Sequence, residues 1–531
     1  MEFKNPNTVT INPVSEQSSS GTNDNGNQLD THTITPVSDQ SNGGSDNRGK
    51  KPVPLGIKIL AVAIVSMYTF GSRWSNGVTG ALKSTLKKKL HISNTQYAIL
   101  TSTKDIVKLS LILFSGVLTD RYGGASTMLC GTAVDTFGAI MVATATQVRS
   151  FKFMIVGSII ESLGEVAIST AQYKILSSWF APSSGFASSV GIEHGIGKIG
   201  SFVAKSTANI IAHNLGLSWA YWMIVFMNLF TNAIALLFWW MTRQCEKRYT
   251  HIKDPATGET LTENTKKFQI RKIILLPWSF WLVCLFTMLE DPLSNLFSRN
   301  STELAEQRFN ISPSKAGLYS AVSHYSGFFL APLIGIFIDV FGQRITLMLI
   351  CGSGLLLSMC LLTWGPTVAG AAASLVIYGI FSSYDSTLIT DSLRTSMWYQ
   401  DIFGSGVAIR SAIKDSMEVI ISLIAGVLQD RDDNKYYRVT ILYVVLAASC
   451  VLVACLMLAL GLATDNMGKL QWSRKKRVKN GHVINAKRQE SESEGHAEKQ
   501  RMLNIINFSA VLLLILGAWV SYLWGLVTKQ N

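Results

Sequence analysis

The sequence predicts an all-α polytopic membrane protein built from two six-helix bundles plus one extra C-terminal transmembrane helix. Three observations predict it. Only 15% of the 531 residues are charged and 48% are hydrophobic, with a mean hydropathy of +0.27, whereas a soluble domain carries roughly 25% charged residues. The apolar residues arrive in blocks of about 20, the length that crosses a ~30 Å hydrocarbon core at 1.5 Å per residue. Landmarks of the first half recur in the second, Gly116 answering to Gly335 and Trp179 to Trp398. A soluble enzyme, a coiled coil and a disulfide scaffold are thereby excluded. The seven cysteines form no CxxC spacing, so neither a disulfide framework nor a metal site is expected.

The elements follow in order. Residues 1–51 are mostly Asn, Ser, Thr, Gly, Gln and Asp. Such a segment buries too little surface to offset its ordering entropy, so a disordered cytoplasmic tail is expected. No short apolar stretch with a cleavage site opens the chain, so the first block reads as an uncleaved signal anchor. The N-terminal bundle occupies 52–242, with blocks at 56–80, 96–118, 126–147, 152–174, 186–212 and 218–242. A polar central loop, 243–274, separates it from the C-terminal bundle, 275–463. The blocks there are 275–297, 316–340, 345–365, 370–393, 403–428 and 438–463. A basic tail, 464–503, leads to the added span, 504–528.

Basic residues set the orientation. The central loop holds eight Lys/Arg and the tail ten, including Arg474-Lys475-Lys476-Arg477. Both are expected on the cytoplasmic side. Two sequons, Asn300-Ser301-Thr302 and Asn310-Ile311-Ser312, mark the loop between blocks seven and eight as lumenal or extracellular, with Asn300 and Asn310 as glycosylation candidates. Lys83, Lys87, Lys88 and Lys89 oppose this topology; a helical extension of block one beyond the membrane accommodates them. The net charge of +13 therefore reads as topology and anionic-lipid contact rather than nucleic-acid binding.

The repeat carries a family resemblance. Gly116, Asp120, Arg121 and Gly123 in GVLTDRYGG align with a degenerate copy, Gly335, Asp339 and Gly342 in GIFIDVFGQ. This motif between blocks two and three, with six helices in each half, resembles the major facilitator superfamily over about 56–463. Gly124 and Ala125 stand where the family places a basic residue. The resemblance implies a secondary transporter that works by alternating access. It also implies a gating role for Gly116, Asp120, Arg121, Gly123, Asp339 and Gly342, in which the aspartate faces a helix end and the arginine pairs an acid. A carboxylate at a helix N-terminus gains about 0.3–1 kcal/mol; the alternative is a solvated turn with glycine at positive φ.

A finer likeness lies in FGSRWSNGVTGAL, ESLGEVAISTAQYKILSSWF and GKIGS. These resemble the branch that contains the lysosomal dipeptide uniporters. In that branch an acid and a base hold the two charged ends of a dipeptide. Carried over, they are Glu161 and Lys198, the latter lacking the bidentate fork of an arginine. The likeness also implies a vacuolar or lysosomal membrane.

Intramembrane charges supply the remaining candidates. Each costs about 2.5–3.5 kcal/mol on insertion scales unless paired or wet. Blocks six, nine and twelve carry none in mid-span, and block three only Asp135. Every third helix is thus expected to be peripheral and the rest to surround a cavity. His194, Lys198 and Lys205 share one stripe of block five. Arg73, Arg410 and Lys414 join Glu161 and Lys198 as substrate-binding candidates, with ion pairing between helices as the competing reading. His324 aligns with Asp105 in the repeat, and both are proton-coupling candidates. Tyr68, Trp74, Tyr325 and Tyr384 are candidate cavity aromatics. Gly191, Gly195, Gly197 and Gly200 read as close helix packing.

The expected activity is transport of a small zwitterion, such as a dipeptide or amino acid, with no enzyme chemistry and no cofactor. The alternatives are an organic anion held by Arg73, Lys198 and Arg410, or a non-transporting receptor or scaffold. The expected partners are a small-molecule substrate and the lipid bilayer. The transport unit is expected to be a monomer, and an accessory subunit is one use for the added span.

Overall fold

The computed structural model describes residues 54–527, apart from 249–251, 254, 257–259, 262–272, 366, 401, 433–435 and 493. The expected disordered tail, 1–51, lies outside the described residues.

The N-terminal half comprises α1 (Leu55–Ala81), α2 (Lys83–Leu90), α3 (Asn94–Tyr122), α4 (Gly124–Val148), α5 (Phe151–Trp179), α6 (Phe186–Asn214) and α7 (Leu217–Arg248). The C-terminal half comprises α8 (Trp278–Phe309), α9 (Pro313–Phe341), α10 (Arg344–Trp364), α11 (Val368–Phe381), α12 (Asp385–Ser396), α13 (Phe403–Arg431) and α14 (Tyr437–Ala463). Between the halves, Ile252–Lys253 and Thr260–Leu261 form a two-residue antiparallel ladder. Caps written in the sequence start the helices. Ser93 and Gln96 close a reciprocal capping box on α3, with bonds of 3.2 and 2.9 Å. Ser150 caps α5, and Pro313 occupies the first position of α9.

Among the described residues, seven helices are long and apolar enough to cross a membrane: α1, α4, α7, α9, α10, α14 and the C-terminal helix. The long helices that fail this composition test, α3, α5, α6, α8 and α13, carry most of the buried charges among the described residues. Their polarity is affordable only because they face one another rather than lipid.

The halves meet along two seams, α6 against α9 and α3 against α13. The first depends on small residues. A Cβ on Gly191 would lie 2.5 Å from the Ala331 carbonyl oxygen, and one on Gly195 3.0 Å from that of Phe328. Gly197 and Gly200 instead press on Thr69 and Phe70 of α1. The four glycines therefore serve two interfaces, as close packing requires.

Two expected elements differ. The lysines after block one do not extend α1. Leu82 breaks the helix, and Lys83–Leu90 forms a separate helix, α2. Block ten is not continuous either: α11 ends at Phe381, α12 begins at Asp385, and Ser382–Tyr384 turn between them.

Beyond α14 the tail folds against the C-terminal half through α15 (Asp465–Gly468), a 3₁₀ turn (Lys469–Gln471), α16 (Arg474–Lys479) and α17 (Gly481–Glu492). Lys469 anchors it. Its ammonium lies 3.4 Å from the Trp398 ring centre and donates to the Ser396 carbonyl at 2.5 Å. Burial pushes its pKa down, and Arg477 and Lys487 add to the effect.

The final helix, α18 (Glu494–Val527), packs on α13 and touches α3. Asn504 fixes its start by donating to the carbonyls of Ile274 and Leu276 at 2.6 and 2.9 Å and accepting from the Trp281 indole at 2.7 Å. Near its end, Tyr522 and Thr103 share a 2.8 Å hydroxyl contact. The added span thus leans across the seam between the halves.

Candidate functional site

A cavity of about 250 Å³ lies between the halves, near the lower end of small-molecule sites. It is lined by α1, α3, α5 and α6 from one half and by α8, α9, α13 and the α11–α12 break from the other. Among the described residues, none that lines it comes from α4, α7, α10 or α14. These are the charge-poor third helices of each triplet, so the charge pattern located the cavity wall correctly.

The wall is charged and polarised. The N-terminal half contributes Arg73, Lys108, Lys198 and Lys205 against Asp105, Glu165 and Glu193. The C-terminal half contributes Arg299, Arg410 and Lys414 against Asp291, Asp385, Asp415 and Glu418. Most of these charges neutralise one another. Lys108 meets Glu165 at 2.8 Å, Arg410 meets Asp291 at 2.7 Å, and Lys414 meets Asp415 at 2.8 Å. Arg299 bridges the halves, reaching Asp105 at 3.2 Å and Glu418 at 2.7 Å. Glu193 is held by hydrogen bonds from Thr69, at 2.6 Å, and from Gln172.

Two cavity cations stand apart. Among the described residues, the Lys198 ammonium donates only to the Ser382 carbonyl and hydroxyl, at 3.5 and 3.3 Å. Arg73 has no carboxylate within ion-pair distance among the described residues. Lys205 likewise lacks an acid, but it donates to the Ser298 carbonyl at 2.6 Å and the Ser301 hydroxyl at 3.0 Å. Arg73 and Lys198 therefore present positive charge to the cavity with little local compensation.

The structure separates Glu161 from Lys198. Glu161 pairs with Lys104 at 2.8 Å and lines a different, smaller cavity of about 40 Å³. In this arrangement the carboxylate expected to grip a substrate ammonium is paired with Lys104 of α3. Arg410 and Lys414 do line the central cavity, each already paired within its own half. The proton-coupling candidates are also engaged. Asp105 serves Arg299, and His324 Nε2 meets the Ser298 hydroxyl at 3.3 Å. Of the four candidate aromatics, only Tyr68 lines the cavity; Tyr325 is 59% exposed.

The gating residues divide between the halves. Asp339 accepts from the Ser188 amide and hydroxyl, both at 2.8 Å, at the N-terminus of α6. An aspartate of one half thus caps a helix of the other. Gly123 and Gly342 both adopt positive φ, 85° and 75°, and Gly335 packs closely on Ala187. Gly116 has open space around it. Arg121 departs from expectation: it is exposed, lies 5.8 Å from the Tyr122 ring and makes no ion pair among the described residues. The side chain of Asp120 lies outside what is described.

The first sequon is also corrected. Asn300 is only 5% exposed; its amide donates to Tyr443 at 3.0 Å and its carbonyl accepts from Lys83 at 2.8 Å. A glycan has no access there. Asn310 is exposed at the end of α8.

Sequence reasoning missed two participants. Arg299 falls just beyond the expected end of block seven, at 297, because α8 runs on to Phe309. The break at Ser382–Tyr384 had a faint signal in FSSYDS, a polar interruption of an apolar block.

Comparison with known proteins agrees with this architecture. The human lysosomal dipeptide transporter MFSD1 is 22% identical over 404 residues, covering 71% of this chain and 81% of that protein. The Mus musculus protein is 21% identical over 450 residues, covering 80% and 91%. Among solved structures, the E. coli fucose:proton symporter FucP aligns with a TM-score of 0.54 at 13% identity, covering 75% of this chain and 98% of that one. The proton:xylose symporter XylE gives 0.59 at 14%, covering 76% and 95%; both show the fold. The family model for the Major Facilitator Superfamily matches residues 62–409. The chain, a multi-pass membrane transporter with two helical halves around a charged cavity, belongs to the Major Facilitator Superfamily.

Proposed function

We propose that this protein carries a small zwitterion, a dipeptide or an amino acid, across a lysosomal or vacuolar membrane by alternating access. One observation carries the substrate class. Among the described residues Arg73 and Lys198 face the cavity without a carboxylate partner, while the wall of the C-terminal half holds more acids than bases. A ligand negative at one end and positive at the other completes both walls. Its carboxylate belongs at Arg73 and Lys198. The two cations come from adjacent, closely packed helices, since Gly197 of α6 abuts the Arg73 side chain.

The likeness to lysosomal dipeptide transporters at 22% identity supports the substrate and the membrane. The organic-anion reading loses its third cation, because Arg410 is already neutralised by Asp291. Alternating access is supported by polar links between the halves at both ends of the cavity. Asp339–Ser188 lies on the face of the tail, and Lys83–Glu303 on the other.

A thermal-shift screen of dipeptides, amino acids and monocarboxylates tests this reading, because a ligand raises apparent stability by mass action. Zwitterions are expected to stabilise the wild type and to lose that effect in Arg73→Ala and Lys198→Ala. Stabilisation by monocarboxylates alone would reject the zwitterion.

A further inference from the structure

We propose that Asp385, backed by Glu290, is the subsite for the ammonium end of the substrate, and that a shared proton occupies this pair when substrate is absent. The proposal rests on the zwitterion reading above. The helix break brings Asp385 into the first turn of α12, facing the cavity. Glu290 of α8 lies behind it, fully buried, and its Oε1 accepts from Ser294 at 2.5 Å. Glu290 Oε2 and Asp385 Oδ1 are both buried and neither receives a donor. The carboxylates of Glu290, Asp291 and Asp385 have oxygens within 4.8 Å of one another, and the one nearby ion pair, Arg410 at 2.7 Å, is made to Asp291.

Other groups face the pair without serving it. Lys198 of α6 is held at the Ser382 carbonyl and hydroxyl. Tyr378 of α11 donates to the Ser294 carbonyl at 2.7 Å, and Cys351 of α10 to the Phe381 carbonyl at 3.4 Å. Lys414 of α13 is occupied by Asp415, and Cys450 of α14 is a buried free thiol. The two orphaned oxygens therefore lack any hydrogen-bond donor among the described residues.

Two buried carboxylates at such proximity do not both stay ionised without a cation between them. A proton shared by the pair meets that demand in the empty carrier. A substrate ammonium, with its N–H donors, meets it equally well. One site cannot hold both. As the ammonium docks, the proton passes to cavity water and both carboxylates become anions, so the charge of this wall is conserved. Arg73, with no carboxylate within ion-pair distance among the described residues, independently calls for the opposite end of the same ligand. Proton and substrate therefore compete at Asp385 and Glu290.

The test uses the purified full chain in proteoliposomes. It measures half-saturation for Ala-Ala and for N-acetyl-Ala-Ala, which keeps the carboxylate and lacks the ammonium, at about pH 7.5 and about pH 5. Wild-type half-saturation for Ala-Ala is expected to rise at least about fivefold at the lower pH, a typical coupling between linked ligands. That for N-acetyl-Ala-Ala is expected to stay level. Asp385→Asn is expected to weaken Ala-Ala and to remove its pH dependence, with the melting temperature of the empty protein reporting its fold. Glu290→Gln is expected to flatten the pH dependence as well. An Ala-Ala affinity independent of pH in the wild type overturns the proposal without recourse to any variant. So does an affinity that follows sodium at fixed pH, which would assign the pair to a metal cation. If Ala-Ala and its acetylated form bind the wild type alike at both pH values, the subsite alone fails. If neither binds, the zwitterion reading fails and this subsite with it.

Discussion

Lys83 and Glu303 meet at 2.9 Å across the two halves, each side chain only 4% exposed. Lys87 joins from the next turn of α2, and Tyr436 donates to the same carboxylate at 2.6 Å. Lys83 also donates to Asn300 at 2.8 Å and Gln429 at 3.1 Å. A short helix of one half is thereby fastened to α8, α13 and the start of α14 in the other. Breaking a buried pair by removing one partner costs about 3–5 kcal/mol. Glu303→Gln is therefore expected to loosen this end of the cavity, seen as faster amide exchange along α2. Unchanged exchange would remove the pair from the closing machinery.

This fastening is also expected to withstand acid. Burial alone would raise the Glu303 carboxyl, but Lys83 and Lys87 together hold its pKa down at about 2, below the unfolded value of about 4.3. A depressed carboxylate stabilises fully above its unfolded pKa and loses that contribution as pH falls through the folded value. Between pH 7 and about 5 the melting-temperature deficit of Glu303→Gln relative to wild type is expected to stay constant. A deficit that vanishes by pH 5 would show that Glu303 had already taken a proton.

Glu161 is expected to matter for stability rather than for substrate affinity. Its partner Lys104 sits at 2.8 Å, and their side chains are 7% and 17% exposed. Glu161→Gln is expected to lower the melting temperature, and Lys104→Met in the same chain to recover part of the loss, a coupling of about 0.5–3 kcal/mol in a double-mutant cycle. A substrate affinity tenfold weaker at unchanged stability would restore Glu161 to the binding site.

Much of this was legible in the sequence. Block lengths and the internal repeat gave the helix order, and the charge-poor triplet members marked the periphery because lipid contact disfavours charge. The stripe His194, Lys198 and Lys205 reached the cavity as the helical spacing implied. Partner choice was not legible. Glu161 and Lys198 lie on neighbouring segments of sequence, yet which acid meets which base depends on how α3, α5 and α6 rotate against one another. Asn300 looked like a glycan acceptor because α8 was expected to end before it. The Ser382–Tyr384 break and the orphaned Glu290–Asp385 pair depend on three-dimensional packing that a one-dimensional apolar block conceals.

Two glycines of the repeated motif are expected to behave oppositely. Gly342 has φ 75° and abuts the Trp472 carbonyl, whereas Gly116 has nothing within 4 Å of where a Cβ would lie. Gly342→Ala is expected to destabilise by at least about 1 kcal/mol, since positive φ and a backbone clash act together. Gly116→Ala is expected to be neutral or slightly stabilising, as an open helical site allows. Paired melting curves decide, and equal losses would contradict the packing described.

Uptake of radiolabelled Ala-Ala by purified protein in proteoliposomes reads out the two cations left over in the cavity. Uptake is expected to be saturable and to fall at least about tenfold in Arg73→Ala and in Lys198→Ala, the scale of losing one charge-assisted hydrogen bond of about 1.5–3 kcal/mol. Glu161→Gln is expected to keep its half-saturation. Uptake that survives both cation substitutions but disappears with Glu161→Gln would contradict the account.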